Sequence, residues 1–183
     1  LRGWGYADVL PYFKRSESYE GGETDYHGGD GPLKVTESPA SSPLYQAFVE
    51  AGRAAGHAVT EDFNGRVQEG MGLYQRTIHD GRRWSAAAGY LHPIVGERSN
   101  LTMLTTGMVT RVIIDRGRAV GVQVVEGKGR RPDEIRARGE VLVCAGAVQS
   151  PQLLQLSGIG DPDLLRAHGI DVAAASPGVG ANL

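Results

Sequence analysis

Between an apolar run and a helix start, the stretch Arg138–Gly160 places three residues with almost no side chain, Ala145-Gly146-Ala147. Val141, Leu142 and Val143 in succession read as a short strand buried on both faces of a parallel sheet. The small triplet lets another body approach the backbone closely. Ser150-Pro151 then opens a helix, since Ser can cap free N–H groups and Pro suits the first helical position. Leu153, Leu154 and Leu156 supply the helix's apolar face, and Ser157-Gly158 closes it. Strand, glycine turn and helix amino end form the unit that α/β proteins set beneath a phosphate or dinucleotide. Any α/β protein also contains such units for structure alone, and spacing does not separate the two readings.

The other chemistry-bearing residues are sparse. His27 and Asp30 sit in the glycine loop YHGGDGPLKV of Tyr26–Val35, where they could form an acid/base pair or two metal ligands. No second cluster stands at ligand spacing, so no metal site is expected. His79 falls in the turn His79-Asp80-Gly81, and His168 in the last turn of a helix over Asp161–His168 that starts at Asp161 or Pro162 and is followed by Gly169. Both read as surface or helix-end residues. The single Cys144 lies inside the expected strand and reads as a small buried apolar residue, with no disulfide or CxxC chemistry open to it.

The composition is that of an ordinary globular chain: 183 residues, 40% hydrophobic, formal charge −2. That charge carries no footprint for nucleic acid, and no apolar run reaches membrane-spanning length. Trp4–Ser18 reads as a helix pair broken at Pro11, with Trp4, Val9, Leu10 and Phe13 toward a core. Pro43–Gly56 reads as a helix with Leu44, Phe48 and Ala51 on one face; Gly70–Ile78 as a strand; Arg83–Leu91 as a short alanine-rich helix. Leu101–Thr105, Met108–Ile114 and Ala119–Val125 alternate in hydrophobicity, with a hairpin turn at Asp115-Arg116-Gly117-Arg118. They read as a three-stranded antiparallel meander. The polar stretch Gly127–Arg138 reads as a charged loop, and Ile170–Ala173 as a brief strand.

The literal run Gly146-Ala-Val-Gln-Ser150-Pro151-Gln-Leu153-Leu154-Gln-Leu-Ser157-Gly158-Ile-Gly160 closely resembles the second signature of the glucose-methanol-choline (GMC) flavoprotein oxidoreductases. YHGGDGPL also occurs in the choline and aliphatic-alcohol branches of that family, and RRWSAAAGYLHP leans toward the aliphatic-alcohol branch. The closing run Pro177-Gly-Val-Gly-Ala-Asn182-Leu183 resembles the family segment PGVGxNLxDH, stopped before its Asp-His. The resemblance spans Trp4 to Leu183.

It implies an α/β chain of mixed α+β character: part of a GMC-type FAD-binding fold, with the meander beside the nucleotide domain and part of the substrate-domain sheet. Residues 1–95 are then mostly substrate domain, 96–175 part of the FAD-binding domain, and 176–183 the start of a return to the substrate domain. The implied activity is oxidation of a primary alcohol to an aldehyde, with hydride passing to flavin N5 of an FAD cofactor. Choline oxidation is one alternative, and a non-enzymatic binding module that keeps the scaffold is another. A flavin-independent structural protein is the third class.

Within the resemblance, Val109 corresponds to a residue that meets the flavin's adenine through its backbone amide and carbonyl. Ala145 and Gly146 face the ADP half of FAD, with Gln149 and Ser150 at the helix start as further contacts. Only partial pieces of a GxGxxG loop occur (Gly70-Met-Gly72, Gly127-Lys-Gly129, Gly158-Ile-Gly160, Gly178-Val-Gly180), and none of the five His matches the family's catalytic His. No catalytic residue is therefore expected here, and the chain reads as an internal piece of a longer enzyme, inactive alone. The expected partners are a small alcohol and an unspecified electron acceptor. The expected setting is cytoplasmic, with peripheral membrane association of the parent enzyme as an option.

Overall fold

Two hairpins close on the same turn chemistry, and both turns are legible residue by residue. Arg116 and Gly117 both take positive φ, 48° and 77°, and join strands whose ends pair Asp115 with Arg118. Asp80 and Gly81 do the same at 49° and 70°, between His79 and Arg82. Two central residues at positive φ make the tight turn whose twist matches that of paired strands.

The computed structural model describes residues 2–127 and 130–182. The chain divides into two compact units, Leu1–Leu101 and Thr102–Leu183.

In Leu1–Leu101 the elements run α1 (Tyr6–Ser16), β1 (Glu17–Tyr19), β2 (Leu33–Val35), α2 (Pro43–Ala54), β3 (Ile78–His79) and β4 (Arg82–Arg83), then a π-helical turn over Ala87–Leu91. Strands β1 and β2 pair in parallel, Glu17 opposite Leu33, and β3 and β4 pair antiparallel. Within Trp4–Ser18 there is one helix, α1, not a broken pair: Pro11 lies inside it, forgoing one backbone bond without ending the helix. Helix α2 forms as read, with Ser42 accepting the Leu44 N–H, Pro43 at the first position and Gly56 beyond the end at φ 90°. The expected strand over Gly70–Ile78 is reduced to single bridges, Val59–Met71 and Thr36–Arg76, before β3. The alanine-rich segment makes one π turn, because Arg82 and Arg83 are drawn into the hairpin instead.

In Thr102–Leu183 the order is β5 (Gly107–Asp115), β6 (Arg118–Glu126), β7 (Asp133–Arg136), α3 (Gly146–Leu156), β8 (Ile159–Gly160), α4 (Pro162–Ala167) and β9 (Ala174–Ala175). Strands β5, β6 and β7 form the meander. Its membership differs from the reading: Leu101–Thr105 is not a strand, and the third strand comes from the charged stretch, where Ile135 pairs with Val122. The backbone of β7 completes the ladder while its side chains stay exposed, so its polarity is no obstacle. Lys128 and Gly129 of that stretch, with the partial Gly127-Lys-Gly129 motif, lie outside the described residues. The final strand is Ala174–Ala175, four residues later than Ile170 and parallel to β8.

The run Val141–Cys144 makes no ladder among the described residues, and Leu142 is 77% exposed and Cys144 exposed. A buried parallel strand needs a sheet to join, and no described segment pairs with this run. The same shortage marks the cores. Among the described residues the buried hydrophobic side chains are Val112, Val124 and Leu165, whereas Trp4, Phe13, Leu44, Phe48 and Val148 are exposed, against the expectation that the α1 aromatics pack inward.

Candidate functional site

The turn before α3 sets small residues against an open helix start. Gly146 takes φ 85°, a left-handed conformation that L side chains rarely adopt, and a Cβ there would meet nothing. Glycine is required by the backbone, not by a lack of room. Helix α3 begins at Gly146, four residues ahead of the expected Ser150, and no side chain caps it. The N–H groups of Gly146, Ala147 and Val148 therefore have no intrahelical partner, and these residues are exposed.

Ser150 works differently from the expectation. Its Oγ accepts the N–H of Ala145 at 3.0 Å, so it holds the turn in shape from inside the helix. Pro151 sits in the helix interior beyond it. A cavity of about 290 Å³ lies along this half of α3, lined by Ala147, Val148, Pro151, Gln155 and Gly180–Asn182. Gln155 closes it by donating from Nε2 to the Val179 carbonyl at 3.1 Å.

Val109 lies on β5, an edge strand of the meander among the described residues, opposite Val124. The register slips immediately after it, leaving Thr110 without a partner before Arg111 pairs with Gln123. Such a bulge bends a strand and re-aims its backbone groups. The strand is fixed to α3 at the helix's far end. Ser157 Oγ accepts the N–H of Val112 at 2.8 Å and donates to the Leu153 carbonyl at 2.6 Å, with Ser157 only 1% exposed. Ala145, Gly146, Gln149 and Ser150 thus gather at one end of α3, while Val109 belongs to the strand pinned at the other. Sequence reasoning read Ser157 only as a helix end; its role between helix and sheet had no local signal.

Leu1–Leu101 holds a second cluster, centred on His27. The imidazole is buried, with Nδ1 3.1 Å from each oxygen of Glu17 and Nε2 3.0 Å from Asp62 Oδ2. Its partners come from β1 and from a loop 35 residues away, not from Asp30, which is exposed. Glu17 also accepts the Gly28 N–H, and Asp62 Oδ1 accepts from the Asn64 N–H and Gln75 Nε2. The Tyr19 ring stacks on His27 at 4.2 Å, and its hydroxyl donates to Glu37 at 2.5 Å. That bond to Glu37, with burial, pushes the phenol up to about 12.

Burial alone would lower the His27 pKa, but hydrogen bonds and charge from Asp62 and Glu17 outweigh it and raise it above the ordinary 6.5. The site favours the protonated ring, which alone can donate to a carboxylate on each side. No group able to hold a metal ion occurs among the described residues.

The family model for GMC oxidoreductases matches residues 1–183. The chain belongs to the GMC oxidoreductase family. Oxygen-dependent choline dehydrogenases from Brucella anthropi and Sinorhizobium medicae are each 50% identical to it over 182 residues. The match takes in 100% of this chain and 32% of each relative, so the chain spans about a third of their length. Among solved structures, pyridoxine 4-oxidase from Mesorbium loti matches with TM-score 0.83 at 37% identity, over 97% of this chain and 34% of that one. An FAD-dependent oxidoreductase from Chaetomium thermophilum matches with TM-score 0.84 at 25% identity, over 97% and 33%.

The architecture is therefore a portion of the GMC FAD-binding fold, and FAD is the cofactor of that family. The turn at Ala145-Gly146 fits such a group on its own chemistry: exposed small residues, a backbone that only glycine adopts comfortably, and an uncapped helix start suited to negative charge.

Proposed function

We propose that this chain is the portion of an FAD-dependent alcohol dehydrogenase that holds the ADP half of the cofactor, and that the enzyme oxidises choline to betaine aldehyde. The observation that carries the reading is the 50% identity, without loss of coverage of this chain, to oxygen-dependent choline dehydrogenases. It favours choline over the aliphatic alcohols toward which Arg82–Pro93 leans.

In this reading Thr102–Leu183 belongs to the FAD-binding domain and Leu1–Leu101 largely to the substrate domain. The small-residue turn at Ala145 and Gly146, with the free N–H groups of Gly146, Ala147 and Val148, receives the negative charge of the cofactor at the uncapped end of α3. Ser150 keeps the turn's shape, and Val109 offers a main-chain donor and acceptor that can read an adenine edge whatever its side chain. Bound FAD supplies the hydride acceptor for the alcohol carbon. No described residue is assigned as the base, and the chain alone is inactive. A cytoplasmic setting goes with the reading, with peripheral membrane association of the parent enzyme to be tested by fractionation.

The deciding experiment is steady-state oxidation of choline and of unbranched aliphatic alcohols by the longer enzyme that carries this chain, with oxygen and with an artificial electron acceptor. A kcat/KM for choline well above that for the aliphatic alcohols supports the proposal. The reverse order returns the substrate to the aliphatic branch, and no turnover with bound FAD favours a binding module.

A further inference from the structure

We propose that His27, held between Glu17 and Asp62, is a proton-operated clamp that fastens the loop around Asp62 to strand β1 and releases it when the imidazole becomes neutral. The geometry is complete on both ring nitrogens. Each faces a carboxylate at hydrogen-bond distance, and only the doubly protonated ring can donate to both. A neutral ring that keeps its Nδ1 proton for Glu17 turns a lone pair on Nε2 toward Asp62 Oδ2.

Both carboxylates are anchored independently of the ring. Gly28 N–H holds Glu17, and Asn64 N–H and Gln75 Nε2 hold Asp62. Loss of the proton therefore leaves two fixed anions facing a ring that can satisfy one of them. The side chain is 3% exposed, so water cannot readily take the place of the missing bond.

The loop is tied to itself and at its base by other contacts. Thr60 Oγ1 donates to the carbonyls of Asp62 and Val67, and bridges join Val59 to Met71 and Thr36 to Arg76. The imidazole is the direct tie between Asp62 and β1, beside Gln75, which donates to Asp62 and reaches the Tyr19 hydroxyl. The remaining groups around the ring are Tyr19, stacked from β1 with its hydroxyl on Glu37, and Lys14 of α1, whose Nζ is taken by the Thr24 carbonyl and Glu23. Glu17 and His27 stand on one side of a cavity of about 330 Å³, with Asn64 and Gln68 of the clamped loop also lining it.

The test is a histidine ring nitrogen spectrum of the isotope-labelled whole chain across pH 5 to 9.5, with amide hydrogen exchange followed in parallel. H27Q identifies the resonance. The expected result is a His27 ring still doubly protonated above about pH 6.5, where a free histidine side chain is half neutral. Protection of the Gly28 and Asn64 amides then falls severalfold as the ring loses its proton, while that of Val112 does not follow it. D62N is expected to bring the His27 midpoint down. A ring that is neutral below pH 6.5, or loop amides whose protection ignores its titration, overturns the proposal. If D62N does not fold, the titration of the unchanged chain decides by itself.

Discussion

Ser157 and Val112 are 45 residues apart in sequence and joined by a buried hydrogen bond, the Val112 N–H donating to Ser157 Oγ at 2.8 Å. The same hydroxyl donates to the Leu153 carbonyl, so one side chain ends α3 and ties it to the edge of the meander. Replacing Ser157 with Ala leaves a buried backbone donor unpaired. A loss of about 1–3 kcal/mol is expected, read as a shift in urea midpoint at unchanged m-value. A change within error would show that water takes over the bond.

Gly28 is required by close approach. A Cβ there would overlap the Lys14 carbonyl, because the glycine loop lies against the last turn of α1. The variant Gly28→Ala is expected to lose both its own bond to Glu17 and the seating of His27 beside it. Limited proteolysis should then cut within residues 20–32 at protease levels the parent chain survives. Equal resistance would refute the packing described.

Gly146 tests the cofactor cradle. Any L residue at φ 85° costs about 1–2 kcal/mol, and a branched side chain also narrows the approach to the helix amides. Gly146→Val in the longer enzyme should lower FAD content, measured by flavin absorbance per protein, far more than Gln149→Ala. The isolated 183-residue chain, purified with added FAD, is expected to retain no flavin. Retention would mean that the contacts around Val109, Ala145 and Gly146 suffice without a GxGxxG loop.

The Glu17–His27–Asp62 cluster predicts a stability window in pH. His27 holds its proton more tightly folded than unfolded, so its contribution is whole below about pH 6.5 and is lost as pH rises through its raised value. For Asp62, burial alone would push the carboxyl up, but bonds from Asn64, His27 and Gln75 hold it below the usual 3.8. Its contribution is present above that value and lost as pH falls through the lowered one. Urea unfolding of Leu1–Leu101 followed by local probes should be hardest between the two limits. In D62N both edges should flatten. An unchanged profile in that variant would exclude the cluster as its source.

The apolar surfaces predict behaviour in solution. With Trp4, Phe13, Leu44, Phe48 and Leu142 each at least 67% exposed, the isolated chain is expected to bind a hydrophobic dye and to self-associate. Sedimentation showing a dye-silent monomer would contradict this.

Local chemistry was legible wherever it is complete within a few residues. The Asp115–Arg118 and His79–Gly81 turns, the start of α4 at Asp161, and the Gly158 and Gly169 helix ends all follow from residue type. The meander was legible as a motif but not in membership, because β7 is recruited by backbone pairing to β6 and its charged side chains carry no strand signal. The helix break expected at Pro11 and the start expected at Ser150 failed for a related reason. A proline removes one hydrogen bond, and neighbouring turns carried the helix past it.

What the sequence determined by itself was the family, through the fifteen-residue run ending at Gly160, and with it the cofactor. Those are properties of local order along the chain: glycine where φ is positive, small residues before a helix, alternation along a strand. What the tertiary structure decided was which distant groups meet. His27 found Glu17 and Asp62 in place of its neighbour Asp30, and Ser157 found Val112, because burial leaves a polar atom no partner but the one the fold brings to it.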